Sequence, residues 1–325
     1  MFNRNCSLSF IVENLFCKKK IYNYLIYFFP NTSIFQIKFK ILNDHVYLNN
    51  KIIKNYNILI KENDIISLIM IKNYFNFKCF KNYIYTLYED EYLIVINKPP
   101  GIIIHPINVN EINFNSITNH LISKSNHLST IRGIMYSGII HRLDKNTSGL
   151  LIIAKNNFIQ SHISKQINHK KLKRNYLALI YNKSLIKNNF IISRLYKYKK
   201  KYINLENNFN KNGKISITKL SKIKSFEKKK ISLINCELET GRMHQIRIHM
   251  SNQSTPIIGD NKYIRNFNKS ILPYFIKEKI NLLSQQLLHS YKVKFIHPVK
   301  KKLFIFNISI NNNIRNFIDS LKNDI

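Results

Sequence analysis

The stretch Gly138-Ile139-Ile140-His141-Arg142-Leu143-Asp144-Lys145-Asn146-Thr147-Ser148-Gly149-Leu150-Leu151 sets a charged turn between two short apolar runs. Apolar strands on either side of a polar turn fix the turn's side chains at the edge of a sheet, and Asp144 is the carboxylate so placed. An Asp can serve as a nucleophile, a general acid or base, or a metal ligand. An isolated Asp more often caps a turn through its side-chain oxygens. A metal is disfavoured, because no second carboxylate lies nearby and the neighbouring groups are cationic.

Outward from this segment, Leu150 to Ala154 reads as a buried strand, Phe158 to Asn168 as a helix and Tyr176 to Tyr181 as a second strand. Upstream, the apolar run Tyr92 to Asn97 stops at Lys98-Pro99-Pro100-Gly101 and resumes at Ile102 to His105, which predicts a buried hairpin. Asn115 to Ser123 has helical spacing. Downstream, Ile231 to Leu238 alternates as a strand and His244 to Asn252 has helical spacing. This mixture predicts an α+β domain around a mixed, largely antiparallel sheet. Before it, helical patterns at Lys18 to Phe29 and Ser33 to Leu42 precede alternating runs at His45 to Leu48 and Ile65 to Ile69. The expected organisation is a small α+β module over residues 1–70, a linker over 71–82 and a larger domain over 83–325.

The formal net charge is +35, which favours a polyanionic partner such as nucleic acid. Part of that charge reflects a composition rich in Lys, Asn and Ile, as an AT-rich genome dictates. The nine arginines are therefore more informative than the 43 lysines, and six of them, Arg132, Arg142, Arg174, Arg194, Arg242 and Arg247, fall between residues 132 and 247. Such positions call for a planar guanidinium. The four cysteines, Cys6, Cys17, Cys79 and Cys236, are too widely spaced for a zinc or redox pair and read as reduced thiols. The apolar run Ile21 to Phe29 is too short to span a bilayer and no signal peptide is evident, so a cytoplasmic protein without membrane attachment is expected.

The motif HRLDxxTSGLL, ending at Leu151, resembles the signature of RluA-type RNA pseudouridine synthases. The resemblance extends in order from Tyr88-Glu89-Asp90 through Asn97-Lys98-Pro99-Pro100-Gly101 and His105-Pro106 to Lys173-Arg174-Asn175-Tyr176-Leu177-Ala178-Leu179. It continues through Glu239-Thr240-Gly241-Arg242-Met243-His244-Gln245-Ile246-Arg247-Ile248-His249, Pro256-Ile257-Ile258-Gly259-Asp260, Leu288-His289 and His297-Pro298. An ordered set of this kind is more specific than any single motif.

The resemblance implies a catalytic domain that converts uridine to pseudouridine with Asp144 as nucleophile and no cofactor or metal. The C1′–N1 bond breaks, the uracil turns, and it is rejoined through C5; attack at ribose C1′ is favoured and attack at base C6 is the alternative. It further implies that Arg247 pairs with Asp144, with a fork suited to bidentate binding, and that Tyr176 stacks on the flipped base. Arg142, Arg242 and Lys98 are implied to face the RNA, with a packed core tyrosine, a surface salt bridge and a solvated loop lysine as the plainer readings of Tyr176, the arginines and Lys98. His141 and His244 are expected to be structural. Phe29-Pro30-Asn31-Thr32-Ser33 and Val46-Tyr47-Leu48-Asn49-Asn50-Lys51 resemble, in degenerate form, an S4 RNA-binding domain. Ile34 and Gln36 stand where arginines are expected, Asn50 where a glycine is, and Lys38, Lys40, Lys51 and Lys54 remain as phosphate contacts. Within the family, the RluD branch fits best, with the RluC branch second. The implied partner is 23S ribosomal RNA or a large-subunit assembly intermediate, bound by a monomer. A non-catalytic RNA-binding assembly factor is the competing class, disfavoured by the joint presence of Asp144, Tyr176 and Arg247.

Overall fold

The computed structural model describes residues 6–29, 34–42, 44–70, 84–105, 116–124, 128–131, 136–181, 189–198, 201–204, 213–226, 228, 230–264 and 272–322. The expected linker 71–82 and the Pro30 to Ser33 segment lie outside these residues. The chain divides into two compact units, Met1–Lys81 with His105–Gly138, and Asn82–Ile104 with Ile139–Ile325.

In the first unit, β1 (Cys6–Ile11), β4 (Ile65–Met70), β2 (Val46–Leu48) and β3 (Lys51–Ile52) form an antiparallel sheet in that order. Two helices, α1 (Ile21–Phe28) and α2 (Ile34–Leu42), follow β1. Helix α1 places Ile21, Tyr24 and Leu25 on one face, and these pack with Ile37, Ile41, Val46, Ile66 and Leu68 in a single core. The β2–β3 turn has Asn49 and Asn50 at φ 49° and 61°. Asn tolerates this left-handed conformation, so the tight hairpin closes without the glycine expected there. The unit also holds α3 (Ile117–Lys124), where the spacing predicts it.

The second unit is built on one sheet ordered β10-β9-β11-β12-β8-β13-β7-β6-β5, with β14 paired to β13. Its strands are β5 (Tyr85–Glu89), β6 (Leu93–Lys98), β7 (Ser148–Ala154), β8 (Lys173–Tyr181), β9 (Phe190–Tyr198), β10 (Lys201–Asn204), β11 (Lys214–Phe226), β12 (Ile231–Leu238), β13 (Leu288–Ile296) and β14 (Leu303–Asn307). Among the described residues only β7 and β13 pair in parallel, and β7 is buried along its whole length, which is why it reads as an unbroken apolar run. The helices are α4 (Asn157–Asn168), α5 (Gln245–Asn252), α6 (Tyr274–Asn281) and α7 (Asn312–Lys322). Helix α4 starts at Asn156, whose side chain accepts from the Ile159 N–H, and packs Ile159 and Ile163 against Leu93, Val95, Leu150 and Ile152.

The hairpin predicted between Tyr92 to Asn97 and Ile102 to His105 does not form. Strand β6 pairs instead with β5 and β7, so the prolines of Lys98-Pro99-Pro100-Gly101 end the strand rather than turn it back. A further tie joins segments far apart in sequence. Asp90 accepts from Tyr88 Oη at 2.8 Å, from the Leu93 N–H at 2.9 Å and from Lys300 Nζ at 2.8 Å, and lies 3.1 Å from the ring of fully buried His297. Despite the opposing effect of its partial burial, Lys300 and the backbone donors hold the Asp90 carboxyl well below the usual range.

Candidate active site

Asp144 stands in the turn that leads into β7. Leu143 beside it is buried, and the Thr147 N–H closes the turn on the Asp144 carbonyl at 3.1 Å. The following residues are clamped to β13 and its surroundings. Ser148 Oγ lies 2.8 Å from His289 Nδ1 and accepts from Asn311 at 2.7 Å, while Gln286 donates to Thr147 Oγ1 at 3.1 Å. Gly149 adopts φ +115°, and a Cβ there would lie 2.2 Å from the Ser290 carbonyl oxygen. The parallel β7–β13 contact therefore requires glycine at the exit of the turn.

From the opposite side, α5 supplies Arg247. Its Nη1 donates to Asp144 Oδ2 at 2.9 Å. The bidentate fork expected to grip Asp144 goes elsewhere: Nε and Nη2 donate to the two oxygens of Asp260, at 2.6 and 2.9 Å. Nε and Nη2 lie along one edge of the guanidinium, so an Arg committed to Asp260 by that edge has a single Nη1 left for Asp144. Asp260 is 1% exposed and also accepts from the Lys262 and Tyr263 N–H groups at 3.0 and 3.3 Å. Burial opposes the Arg247 charge, but Asp260 and then Asp144 outweigh it and raise the guanidinium pKa above its ordinary value. The Tyr263 ring lies against the same guanidinium, 5.0 Å from ring centroid to Cζ.

His244 takes the left-handed conformation (φ 54°) at the start of α5, so the helix begins one residue later than its spacing suggests. Its Nδ1 is 2.7 Å from Tyr263 Oη and its Nε2 is 3.8 Å from Asp144 Oδ2. Burial pushes the imidazole down to about 4, which leaves it neutral near pH 7. His141 accepts from the Ile152 N–H at 3.2 Å, and burial lowers it to about 3. The segment before α5 is pinned by Gln245, whose Oε1 accepts from Thr240 Oγ1 at 2.8 Å and from the Arg242 N–H at 3.0 Å. Its Nε2 donates to the Ile217 carbonyl at 3.0 Å.

These groups surround an open pocket of about 350 Å³ lined by Asp144, Tyr176, Arg142, Arg242, His244 and Arg247, with Leu143, Leu238, Ile246 and Leu288 as apolar walls. Tyr176 enters from β8 and is 4% exposed; burial raises its phenol pKa, with the nearby Arg174 opposing. Arg142 and Arg242 are exposed at the rim, and Arg242 Nε donates to the Ile215 carbonyl at 3.2 Å.

Lys98 departs from its expected place on the RNA face. It is fully buried, and its ammonium donates to the carbonyls of Pro99, Ile102 and Lys145 at 2.8, 2.9 and 3.0 Å. Burial pushes its pKa down to about 7, against the pull of Asp144. With all three donors turned inward, it fastens the Pro99–Ile102 loop to the Asp144 turn and has no surface for RNA. Sequence reading also gave Asp260, Gln245 and Tyr263 no role. The signal available for Asp260 was Gly259-Asp260 itself, in a chain with only seven glycines.

Comparison with known proteins agrees with this architecture. The family model described as RNA pseudouridylate synthase matches residues 92–252. An uncharacterized RNA pseudouridine synthase of Aquifex aeolicus is 33% identical over 68% of each chain. Two relatives from Buchnera aphidicola subsp. Baizongia pistaciae are also similar. Ribosomal large subunit pseudouridine synthase D is 32% identical over 89% of each chain, and ribosomal large subunit pseudouridine synthase C is 35% identical over 66% of this chain and 64% of that one. Among solved structures, human RNA pseudouridylate synthase domain containing 4 shares the fold, with a TM-score of 0.55 at 18% identity over 73% of this chain and 93% of that one. An α+β sheet carrying an Asp–Arg–Asp cluster at a pocket thus has a family context. The chain belongs to the RluA-type RNA pseudouridine synthases.

Proposed function

We propose that this enzyme isomerises uridines of large-subunit ribosomal RNA, in the manner of the RluD branch, with Asp144 as nucleophile. Relatives named synthase D and synthase C are both similar, and the one named D aligns over the greater share of the chain. The observation that carries the mechanism is the chain of contacts from Asp144 through Arg247 to buried Asp260. A cation locked on one side by a buried carboxylate offers an Nη1 N–H to Asp144 at a fixed position, which holds the Asp144 carboxylate aimed into the pocket.

In the reaction, a uridine flipped out of folded RNA enters beside Tyr176, at a cost of a few kcal/mol for unstacking. An oxygen of Asp144 bonds to ribose C1′ as the C1′–N1 electron pair leaves with the uracil. The uracil turns, C5 attacks C1′ and releases the carboxylate, C5 loses its proton, and N1 gains one. The exposed guanidiniums of Arg142 and Arg242 hold the phosphates or neighbouring nucleotides at the rim. Residues 1–70 act as an S4-like head that adds phosphate contacts, ahead of a catalytic domain that spans 83–325. No cofactor enters the scheme.

The test is Asp144→Asn, which keeps size and removes the nucleophile. Pseudouridine formation in 23S rRNA transcripts, followed by release of label from C5, should fall by roughly 10⁴-fold or more while RNA affinity is kept, as for loss of a covalent catalyst. Substantial turnover by the variant would refute the assignment.

A further inference from the structure

Arg174 is a guanidinium that the scheme above leaves unused. It sits on β8 two residues before Tyr176, and so on the same face of the strand. It is 4% exposed, its Nε has no hydrogen-bond partner, and among the described residues it forms no salt bridge. Its neighbour in sequence, Lys173, by contrast contacts Glu237 and Glu239 at 3.3 and 2.6 Å. An interior cation without a counterion is destabilising by several kcal/mol, and such a group in a native fold calls for an explanation.

The turn over it carries no side chain at the nearest position. A Cβ on Gly241 would lie 2.8 Å from Arg174 Nη1 and 3.3 Å from Nη2. Gly241 is itself exposed and adjoins Arg242, while Tyr176, Leu238 and Arg242 line the pocket. The guanidinium does not itself line the pocket; it lies directly behind that lining, two residues from Tyr176 on β8 and beneath the Gly241 turn that carries Arg242.

We propose that Arg174 is the binding site for the negative charge of the detached uracil. The inference rests on the chemistry proposed above and adds to it the group that receives the leaving base. Charge balance supports it. Before attack, Asp144, Arg247 and Asp260 carry one excess negative charge. When Asp144 becomes an ester of C1′, Arg247 and Asp260 neutralise each other, and the negative charge moves to the uracil, shared by N1, O2 and O4. Lys98 is committed to three carbonyls, and the rim arginines are exposed to solvent, where their attraction is screened. Arg174 is the buried cation whose partner appears only as the bond breaks, so its stabilisation is larger in the transition state than in the ground state. Once C5 attacks C1′, the charge on the base is consumed and Arg174 is again unpaired.

The experiment uses the full chain and 23S rRNA transcripts made with either uridine or 5-fluorouridine, under single-turnover conditions. Fluorine at C5 withdraws electrons and stabilises the uracil anion, so departure of that base depends less on an external cation. Arg174→Gln should slow conversion of uridine RNA by roughly 10²–10³-fold, comparable to removing one donor from a developing anion. Formation of the C–C-linked product from fluorouridine RNA, detected by mass spectrometry, should be slowed about tenfold less than that, again on the scale of one lost donor. Arg174→Lys, which keeps the charge, should restore most of the uridine rate. Affinity for RNA, measured in the Asp144→Asn background, should not change. Equal losses on the two RNAs, or an undiminished rate, would overturn the proposal. If Arg174→Gln does not fold, Arg174→Met takes its place in both measurements, with the same difference expected between the two RNAs. A wild-type chain that makes no pseudouridine would instead refute the underlying reaction.

Discussion

Asp260 and Arg247 form a buried ion pair whose worth a double-mutant cycle can measure. Arg247→Met removes both charged donors from Asp260, which is 1% exposed and retains only the Lys262 and Tyr263 N–H groups. Leaving one partner of a buried pair uncompensated costs about 3–5 kcal/mol. Asp260→Asn leaves Arg247 with Asp144, whose side chain is 16% exposed, and one amide oxygen still accepts. A lost charged hydrogen bond of this kind costs about 2–3 kcal/mol. In the double variant neither charge remains, Met fills the aliphatic path of the arginine, and Asn still accepts a backbone N–H. Its total loss should be about 1–2 kcal/mol, less than either single change, because replacing both members of a buried pair is often nearly neutral. The coupling should thus be about 5 kcal/mol. Urea unfolding followed by circular dichroism reads all four proteins. Additive losses, within about 0.5 kcal/mol, would show that the Asp260–Arg247 contact does not anchor this region. The Asp260→Asn single variant should also lose roughly 10²-fold in single-turnover rate, because Arg247 then no longer holds Asp144 in one position.

Three further outcomes are expected. His249 and His289, both fully buried and each pushed down to about 4, are neutral in the folded state. The unfolded chain therefore binds more protons between about pH 6.5 and 4, so stability present above pH 6.5 should fall as pH drops through that window, by roughly 2 kcal/mol per histidine at pH 5. A flat profile in urea unfolding from pH 7 to 5 would contradict this. Lys98→Met should lower the single-turnover rate while RNA affinity stays near wild type, because three carbonyls around the Asp144 turn lose their donor and no RNA contact is removed; a defect confined to affinity would restore Lys98 to the RNA face. Replacing the exposed Lys51 and Lys54 with Gln should make the salt dependence of RNA affinity shallower by about 0.7–0.9 per lost phosphate contact, without altering the saturated rate. An unchanged slope would mean that the S4-like head does not touch phosphate.

The amino-acid order by itself was enough for much of this protein. The strand after Asp144 and that at Ile231–Leu238, the helices over Asn157–Asn168 and Gln245–Asn252, and the family follow from periods of two and 3.6 and from ordered motifs, because these are local properties of the chain. The apolar run before Asp144, by contrast, forms no strand and makes only an isolated bridge from Ile139 to Ile153. Asp144, Tyr176, Arg142, Arg242 and Arg247 were each marked in sequence, and the fold brings them to one pocket. What the tertiary structure alone decided were the partners. Local apolarity in Tyr92 to Asn97 cannot distinguish a hairpin with Ile102 to His105 from pairing with a strand some fifty residues on, and β6 chose β7. A lysine in a proline-rich turn reads as solvated until three carbonyls, one of them from Lys145, close around Lys98. The Arg247 fork had two carboxylates to choose from, and burial of Asp260 settled which received the paired edge and left Asp144 a single N–H. Hydrogen bonds and ion pairs are short-ranged and directional, so their assignment depends on distances between residues far apart in sequence, and those distances exist only once the sheet has formed.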